Sequence, residues 1–308
     1  MSDPQNDPVL NALTAIFESL RDAQGLTLEG LADKTSIHRT TIGLIERNQR
    51  SPSFTVASEI ANGLGYPLSD LVSKAELIAS GKLTAQEAFA EEAARVLGEK
   101  VLCNKSKFAD LTKMSSSSLA DAVASVYHTL DMIDDQLTAR GSLPLAKLVE
   151  LANLSSMVGN LFGAAMADKS DGLYLRNKPH TSPDLLPQTG DVGPLELKMA
   201  LEKNMPKGHL AKAGRYITCR YVLGSRTGAY ERGGRGDAVW IWEIRVGDLT
   251  DSDFGISNTD GDSGKTATIK AESLYNLPLV FFDSRFCPHP IKNGKYVGNV
   301  NAPADDGL

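Results

Sequence analysis

Apolar residues recur at helical spacing through residues 8 to 72, in short runs that end at glycine or begin after a capping residue. The first run places one apolar stripe on a helix that ends near Gly25, where a left-handed residue is favoured. Later runs follow Thr27, begin near His38, follow Ser53 and end with YPLSDLV. The pattern predicts a compact all-α domain of five short helices over residues 1 to 74.

The pattern changes twice after that domain. Three Ala/Leu/Glu-rich segments keep helical spacing as far as about residue 168: TAQEAFAEEAARVLG, SSLADAVASVYHTLDMIDDQLTA and LAKLVELANLSSMVGNLFGAAMAD. From Leu173 onward, RYITCRYVLG, AVWIWEIRVGDL and LPLVFFD are rich in β-branched and aromatic residues. Helices followed by strands predict an α/β or α+β second domain over residues 75 to 308, with a helical N-terminal portion.

Composition excludes several classes of protein. With 308 residues, 42% hydrophobic and 23% charged, the chain has the composition of an ordinary globular protein of two domains. It contains no apolar run near the roughly 18 residues that a membrane helix needs, and MSDPQNDPVL does not resemble a signal peptide. Three widely spaced cysteines argue against a disulfide framework or a zinc site. We therefore expect a cytoplasmic protein with no membrane partner.

Two short helices joined by a tight turn, over residues 28 to 47, are typical of a helix-turn-helix. Residues 20 to 72 resemble the Cro/C1 (Xre) type of repressor domain, with Ala32 as the small residue of the first helix and Ile37 as the apolar residue of the turn. The resemblance implies that Glu46 pairs with Arg21. It also implies that the partner is double-stranded DNA.

In such domains the exposed N-terminal face of the second helix enters the major groove. Carried over residue by residue, the positions that read bases are Arg39, Thr40, Gly43 and Leu44. The positions placed for phosphate are Arg47, Gln49 and Arg50. This chain departs from the family in two places, because Leu28 stands where glutamine is usual and Gly43 has no side chain.

A second candidate site lies late in the chain, where Pro183-Asp184 is followed after eleven residues by Glu196-Leu197-Lys198. On a strand, residues i and i+2 project from one face, so Glu196 and Lys198 lie together. Two carboxylates supply the oxygen ligands that Mg²⁺ prefers, and a lysine places positive charge beside a phosphodiester. The carbonyl of Leu197 is a third candidate metal ligand.

This pattern resembles the PD-(D/E)XK nuclease superfamily, and within it the type II restriction endonucleases. The resemblance implies an α/β restriction-endonuclease-like domain with a central mixed sheet, catalytic residues Asp184, Glu196 and Lys198, and Mg²⁺ as cofactor. It implies a homodimer that cleaves both strands of a symmetric site. It also implies a cognate DNA methyltransferase that protects host DNA.

The residues leave two questions open at this site. Asp191 lies five residues before Glu196 and is an alternative to Asp184, although its Gly-Asp-x-Gly-Pro setting is typical of a turn. Lys198 either orients or helps to deprotonate the attacking water, or stabilises charge on phosphorus.

The distribution of charge favours a nucleic-acid surface next to this site, although the net charge of the chain is −6. Residues 198 to 235 contain nine Lys or Arg against two acidic residues. From this stretch Lys203, Lys207 and Lys212 are predicted to contact DNA. The interpretation is a Mg²⁺-dependent, sequence-specific endonuclease. The alternative is a helix-turn-helix transcriptional regulator whose C-terminal domain senses a ligand or mediates oligomerisation.

Overall fold

Two compact units make up the chain in this computed structural model, which describes residues 7–178, 181–257, 266–292 and 295–296. The N-terminal unit comprises Met1–Val96, Met132–Leu143 and Arg226–Ala229, and the C-terminal unit comprises the rest of the chain. Within the described ranges, no helix combines the length and the apolar character needed to cross a bilayer.

The N-terminal unit is built from six helices in its first segment: α1 (Pro8–Ala23), α2 (Leu28–Ala32), α3 (Arg39–Glu46), α4 (Phe54–Leu64), α5 (Leu68–Ala79) and α6 (Ala85–Arg95). Capping side chains set where they begin, because Asp7, Thr27 and Ser53 each accept a hydrogen bond from a backbone N–H of the first turn. The apolar stripes meet in one core around Phe17, which is fully buried. This is the predicted all-α domain.

The N-terminal unit extends past residue 74, where the sequence pattern placed the boundary. Helix α6 packs against α1, and Phe89 contacts the same apolar core. A capping box between Thr84 and Glu87 fixes the start of α6. The compact unit therefore continues to Val96.

The helices of the second part of the chain are α7 (Lys105–Thr112), α8 (Ser116–Ala139), α9 (Leu145–Leu148), α10 (Leu151–Asp168) and α11 (Ala271–Asn276). The sequence predicted one helix where α9 and α10 are separate. The break falls at Val149, whose backbone is extended. Arg235 donates to the carbonyls of Ala146 and Val149 at 2.6 and 3.3 Å, which occupies two acceptors that a continuous helix would use itself.

A mixed sheet forms the centre of the C-terminal unit, as predicted. The strands in chain order are β1 (Tyr174–Arg176), β2 (Leu185–Pro187), β3 (Leu195–Leu201), β4 (Lys207–Gly208), β5 (Gly214–Gly224), β6 (Ala238–Leu249), β7 (Phe254–Ser257), β8 (Thr266–Ile269) and β9 (Leu279–Phe282). Six of them form one sheet in the order β1-β2-β3-β5-β6-β9, in which β3 and β5 are parallel and the other pairs are antiparallel. The remaining three form a small sheet in the order β4-β8-β7.

The register of the central strands sorts their side chains onto two faces. Leu197 lies opposite Ile217, and α10 covers this face so closely that a Cβ on Gly163 would lie 2.9 Å from Leu197 Cδ1. Lys198 lies opposite Thr218, and Thr218 lies opposite Arg245, so these three project from the other face. The absence of a side chain at Gly163 allows the helix to approach β3.

Charged residues are buried within the second face. Arg220, Glu243 and Arg245 are at most 1% exposed. Glu243 pairs with both arginines: its Oε1 lies 2.7 Å from Arg220 Nη2, and its Oε2 lies 3.1 Å from Arg245 Nε. The guanidinium of Arg220 also lies 4.3 Å from the centre of the Trp242 ring. The basic stretch from residue 198 to 235 is therefore not a continuous surface, because part of its charge lies in the core.

Candidate functional site

The helix-turn-helix is formed by α2, the turn 33–38 and α3. Thr27 Oγ1 accepts the N–H of Gly30 at 3.0 Å at the start of α2, and His38 Nδ1 accepts the N–H of Thr40 at 3.3 Å at the start of α3. Ile37 is buried and anchors the turn to the core. These contacts fix the angle at which α3 leaves the turn, with its first residues exposed.

An ion pair holds α1 to the end of α3. Arg21 Nε lies 2.8 Å from Glu46 Oε1 and Arg21 Nη2 lies 3.0 Å from Glu46 Oε2, so the contact is bidentate. The hydrogen bond to Glu46 raises the pKa of Arg21 above its ordinary value. The predicted pairing of these two residues is confirmed.

Seven of the residues predicted to contact DNA belong to this domain, and most of the seven lie on its surface. Five are exposed: Arg39, Thr40, Arg47, Gln49 and Arg50. Leu44 is half-buried.

The prediction for Gly43 requires correction, because Gly43 is buried. A Cβ on this residue would lie 3.2 Å from both Leu28 Cδ1 and Arg47 Nη1. Its backbone is therefore covered by two neighbouring side chains, and it does not itself present a group to a base edge.

Glu29 belongs to the same surface and was missed by sequence reasoning. Its Oε2 lies 2.7 Å from Arg39 Nη1, and both side chains are about 60% exposed. The pair joins α2 to α3 across the turn, at a separation for which helical periodicity gives no signal.

The second site centres on Asp184, which immediately precedes β2. Its Oδ2 accepts the backbone N–H of Leu197 at 2.8 Å, and its Oδ1 lies 3.3 Å from Arg176 Nη1. The carbonyl of Asp184 also accepts the N–H of Asn177 at 3.0 Å, which ties the residue to the end of β1. Asp184 is thus fixed between β1 and β3.

Glu196 and Lys198 project from the same side of β3, as their spacing predicts. Lys198 Nζ lies 2.5 Å from Glu196 Oε1, and Ser182 Oγ donates to Glu196 Oε2 at 2.9 Å. The side chains of Asp184, Glu196 and Lys198 are 26%, 16% and 18% exposed, so the cluster is partly sheltered and still reachable. Sequence reasoning missed Ser182 and Arg176, which support the two carboxylates.

The backbone of β3 sets the edge of the strand on which the Leu197 carbonyl lies. The N–H and C=O of one strand residue point to the same edge of the strand. The N–H of Leu197 points to Asp184, whereas the N–H of Glu202, five residues on, bonds to Tyr221 on β5 at 2.7 Å. Leu197 therefore presents its carbonyl on the edge away from β5.

The two aspartates that the sequence left open are differently placed. Asp191 is exposed in the turn between β2 and β3. Asp184, in contrast, contacts the backbone of β3 at Leu197, between Glu196 and Lys198.

The chemistry of these donors fits a divalent cation that prefers oxygen. Asp184 and Glu196 supply carboxylate oxygens, and Leu197 supplies a carbonyl oxygen on the Asp184 side. Among the described residues, no group of three or more His, Cys, Asp or Glu side chains is placed to hold a metal.

Two further residues shape the cluster. A Cβ on Gly208, in β4, would lie 3.0 Å from Lys198 Cε, so the missing side chain leaves room for the lysine. Tyr216 lies opposite Glu196, and burial together with the charge of Glu196 raises its pKa to about 12. Tyr216 is therefore a neutral hydrogen-bonding group at neutral pH, donating to the carbonyl of Lys212 at 2.8 Å.

The basic residues near this cluster fall into two groups. Lys203, Lys207 and Lys212 are exposed, and their contact with DNA stays a prediction. Other members of the stretch bind within the protein: Arg215 contacts Asp248 at 2.8 Å, and Arg220 is buried against Glu243.

Comparison with known proteins bears on the N-terminal unit. The family model described as Helix-turn-helix matches residues 17–71. The N-terminal unit carries a helix-turn-helix domain. The predicted Cro/C1-type helix-turn-helix domain is thus confirmed.

The chain is also similar to the HTH-type transcriptional regulator SutR of Escherichia coli (strain K12), with 36% identity over 61 residues. That alignment covers 20% of this chain and 34% of the relative, so the chain spans about a third of the relative's length. No solved structure gives a significant match to the chain.

Proposed function

We propose that this protein is a Mg²⁺-dependent endonuclease, a site-specific phosphodiester hydrolase that acts on double-stranded DNA. The observation that supports the proposal is the hydrogen bond from the Leu197 N–H to Asp184, which holds the Asp184 carboxylate against the strand that carries Glu196 and Lys198. A PD-(D/E)XK nuclease requires this arrangement of acids and lysine. The helix-turn-helix domain brings the same chain to DNA.

The reaction is an in-line displacement at phosphorus. The oxygen of a water molecule joins phosphorus, the bond to one ester oxygen breaks, and a proton from the water ends on the released hydroxyl. The ammonium of Lys198, held on Glu196, donates hydrogen bonds to the attacking water and to the phosphoryl oxygens. Ser182 and Arg176 keep the two carboxylates in place.

A Mg²⁺ ion bound by Asp184, Glu196 and the Leu197 carbonyl would stabilise the negative charge that develops on the phosphate. Exposed Lys203, Lys207 and Lys212 would contact the backbone of the duplex. Cleavage of both strands at a symmetric site requires two active sites, so we include a homodimer in the proposal. A cognate methyltransferase would protect host DNA.

A second candidate is a transcriptional regulator, which the similarity to a named regulator favours. In that case the helix-turn-helix binds an operator, and the C-terminal unit senses a ligand or mediates oligomerisation. The two candidates differ in one observable property, the cleavage of DNA.

The test incubates the purified full-length protein with varied unmethylated plasmid and phage DNA, in Mg²⁺ or in EDTA. We expect discrete fragments in Mg²⁺ only, and a rate at least about 100-fold lower for Lys198→Ala, because the variant lacks the ammonium beside the phosphate. Gel-shift assays check that the variant still binds DNA. Binding without cleavage by the wild-type protein across these substrates would establish the regulator instead.

A further inference from the structure

All four carboxylate oxygens of Asp184 and Glu196 accept hydrogen bonds from within the protein. The donors are Arg176, Ser182, Leu197 and Lys198. Three of the four contacts measure between 2.5 and 2.9 Å, and the fourth, from Arg176 Nη1 to Asp184 Oδ1, measures 3.3 Å. A divalent cation that binds these carboxylates therefore competes with at least one of the donors for an oxygen atom.

The contact from Arg176 is the one that a cation displaces most readily. Charge-assisted N–H···O hydrogen bonds are usually about 2.7 to 2.9 Å long, so the contact of Arg176 with Asp184 is a weak one. The N–H of Leu197, in contrast, is fixed in the backbone of β3 and cannot turn away. Asp184 Oδ1 is therefore the carboxylate oxygen that is most open to a cation.

Arg176 also affects the charge that a cation meets at the cluster. Asp184 and Glu196 carry two negative charges, and they contact the two positive charges of Arg176 and Lys198 at 3.3 and 2.5 Å. These four charges cancel, so together they attract a divalent cation only weakly. A positive charge a few ångströms from a divalent cation weakens its binding roughly tenfold where water reaches the site.

Asp184 and Arg176 each keep other contacts when the bond between Nη1 and Oδ1 is broken. The Leu197 N–H holds Asp184 Oδ2 at 2.8 Å, and the Asn177 N–H holds the Asp184 carbonyl at 3.0 Å. Arg176 Nη2 donates to Asn160 Oδ1 of α10 at 3.0 Å. Both side chains therefore stay beside the cluster after a cation has taken Oδ1.

We propose that Arg176 exchanges partners at this site: it holds Asp184 Oδ1 until a divalent cation takes that oxygen, and its guanidinium then pairs with a phosphate of the duplex. The planar guanidinium suits both partners, because its donors match the geometry of carboxylate and of phosphate. The side chain of Arg176 is 30% exposed, so a phosphate can reach it. The inference rests on the proposed nuclease function, in which cation and phosphate meet at Asp184.

The exchange couples the binding of the cation to the binding of DNA. Without DNA, the positive charge of Arg176 opposes the cation. A phosphate that pairs with Arg176 neutralises this charge, so DNA strengthens cation binding and the cation strengthens DNA binding by the same factor. Arg176 thereby favours a site that fills with its cation when DNA is present.

The test measures the affinity of the DNA-free, full-length protein for Mn²⁺, which accepts the same oxygen ligands as Mg²⁺. Electron paramagnetic resonance reports the concentration of unbound Mn²⁺. Arg176→Gln keeps most of the side chain and removes its charge, so it should bind Mn²⁺ about 10-fold more tightly than the wild type. Arg176→Lys keeps the charge and should bind within about threefold of the wild type.

Two control variants connect the change in Mn²⁺ affinity to this site. Asp184→Asn, added to Arg176→Gln, should reverse the gain, because it removes the oxygen charge for which Arg176 competes. Arg215→Gln makes the same substitution in an arginine that contacts Asp248 at 2.8 Å. Arg215 lies opposite Leu195, on the other face of the sheet from Glu196, so this variant should keep the wild-type affinity.

DNA cleavage in increasing Mg²⁺ gives a second readout. Arg176→Gln should reach half of its maximal rate at a lower Mg²⁺ concentration than the wild type, because the competing charge is gone. Its maximal rate should be about 10-fold lower, because the phosphate has lost a guanidinium partner. A residue that only supports the fold would not strengthen cation binding while slowing the reaction.

Weaker or unchanged Mn²⁺ binding by folded Arg176→Gln would overturn the proposal, because it would show that Arg176 supports Asp184 without opposing the cation. Arg176→Met, which also lacks the charge, replaces the glutamine variant if that variant does not fold. Cleavage by the wild type together with unchanged Mn²⁺ binding by the variant would overturn this inference alone. Tighter Mn²⁺ binding by the variant without any cleavage by the wild type would instead overturn the nuclease function and the phosphate contact.

Discussion

The ion pairs Arg21–Glu46 and Arg39–Glu29 both join helices of the N-terminal unit, but they differ in burial. The side chains of the first pair are 11% and 4% exposed, and those of the second are 60% and 61% exposed. A buried carboxylate that loses its partner cannot be solvated fully, whereas an exposed one can. The first pair therefore contributes to the fold, and the second is available to DNA.

Arg21→Ala should lower the free energy of unfolding of the N-terminal unit by about 2 to 3 kcal/mol, because Glu46 would remain buried without its guanidinium partner. Urea unfolding followed by circular dichroism measures the change. The matched variant Arg39→Ala should change it by less than about 0.5 kcal/mol. Equal effects of the two substitutions on the free energy of unfolding would contradict the conclusion that only the buried pair stabilises the fold.

His289 is a titratable residue whose environment disfavours its charged form. Burial is the main cause that lowers the pKa of His289 to about 4, and the positive charges of Arg220 and Lys203 lower it further. The His289 ring stacks on Tyr296, with 5.3 Å between the ring centres. Between pH 6.5 and 4 the unfolded chain therefore binds a proton at this residue that the folded chain does not bind. Stability contributed by neutral His289 is present above pH 6.5 and is lost as the pH falls toward 4.

The expected result is that wild-type protein loses more stability between pH 6.5 and pH 4.5 than His289→Gln, which does not titrate. Thermal unfolding at several pH values measures the difference between the two proteins. Identical pH dependence of their melting temperatures would show that His289 is not held neutral in the fold.

At the scale of elements, α10 and β3 position the acidic cluster through two close approaches. A Cβ on Gly163 would lie 2.5 Å from Arg176 Nη1, and one on Gly159 would lie 2.9 Å from Met199 Cγ. The helix can therefore rest directly on β1 and β3. Arg176 in turn contacts Asp184, so the packing of the helix reaches the cluster.

Gly163→Ala should destabilise the C-terminal unit by about 1 to 3 kcal/mol, because the added methyl must displace the guanidinium of Arg176 and the packed side chain of Leu197. Thermal unfolding is the measurement. The control is Gly190→Ala, in an open turn where a Cβ would meet no heavy atom of the described residues within 4 Å. A neutral effect at Gly163 would mean that α10 is not packed as described.

Periodicity of apolar residues predicted the helices and strands whose patterns lie within one segment of the chain. It did not predict features that depend on contacts between residues far apart in sequence. The helices α1 to α4 and the strands β5 and β6 follow their apolar patterns closely. The break at Val149 depends on Arg235, which lies 86 residues later in the chain. Gly43 is covered by Leu28, which belongs to another helix. The helix break and the burial of Gly43 therefore give no signal in the spacing of apolar residues.

At the scale of the whole molecule, the chain joins a DNA-binding domain to a unit whose sheet carries two carboxylates and a lysine. The spacing of Glu196 and Lys198 predicted their common face, because alternation along a strand is local. The sequence favoured Asp184 as the partner aspartate, because Asp191 lies in a Gly-Asp-x-Gly-Pro segment typical of a turn, and it left Asp191 open as the alternative. In the structure Asp184 accepts the Leu197 N–H of β3, whereas Asp191 is exposed, and the role of either aspartate stays a prediction.

The different positions of Asp184 and Asp191 allow a direct test of the proposed nuclease activity. The measurement is the rate at which the full-length protein cleaves a DNA substrate in Mg²⁺. Asp184→Asn should reduce this rate by at least about 100-fold, because the substitution removes a carboxylate charge that the proposed Mg²⁺ site requires. Asp191→Asn, in the exposed turn of the same segment, should cleave within about threefold of the wild-type rate. Loss of cleavage in Asp191→Asn with full activity in Asp184→Asn, or no cleavage by the wild-type protein, would contradict the account.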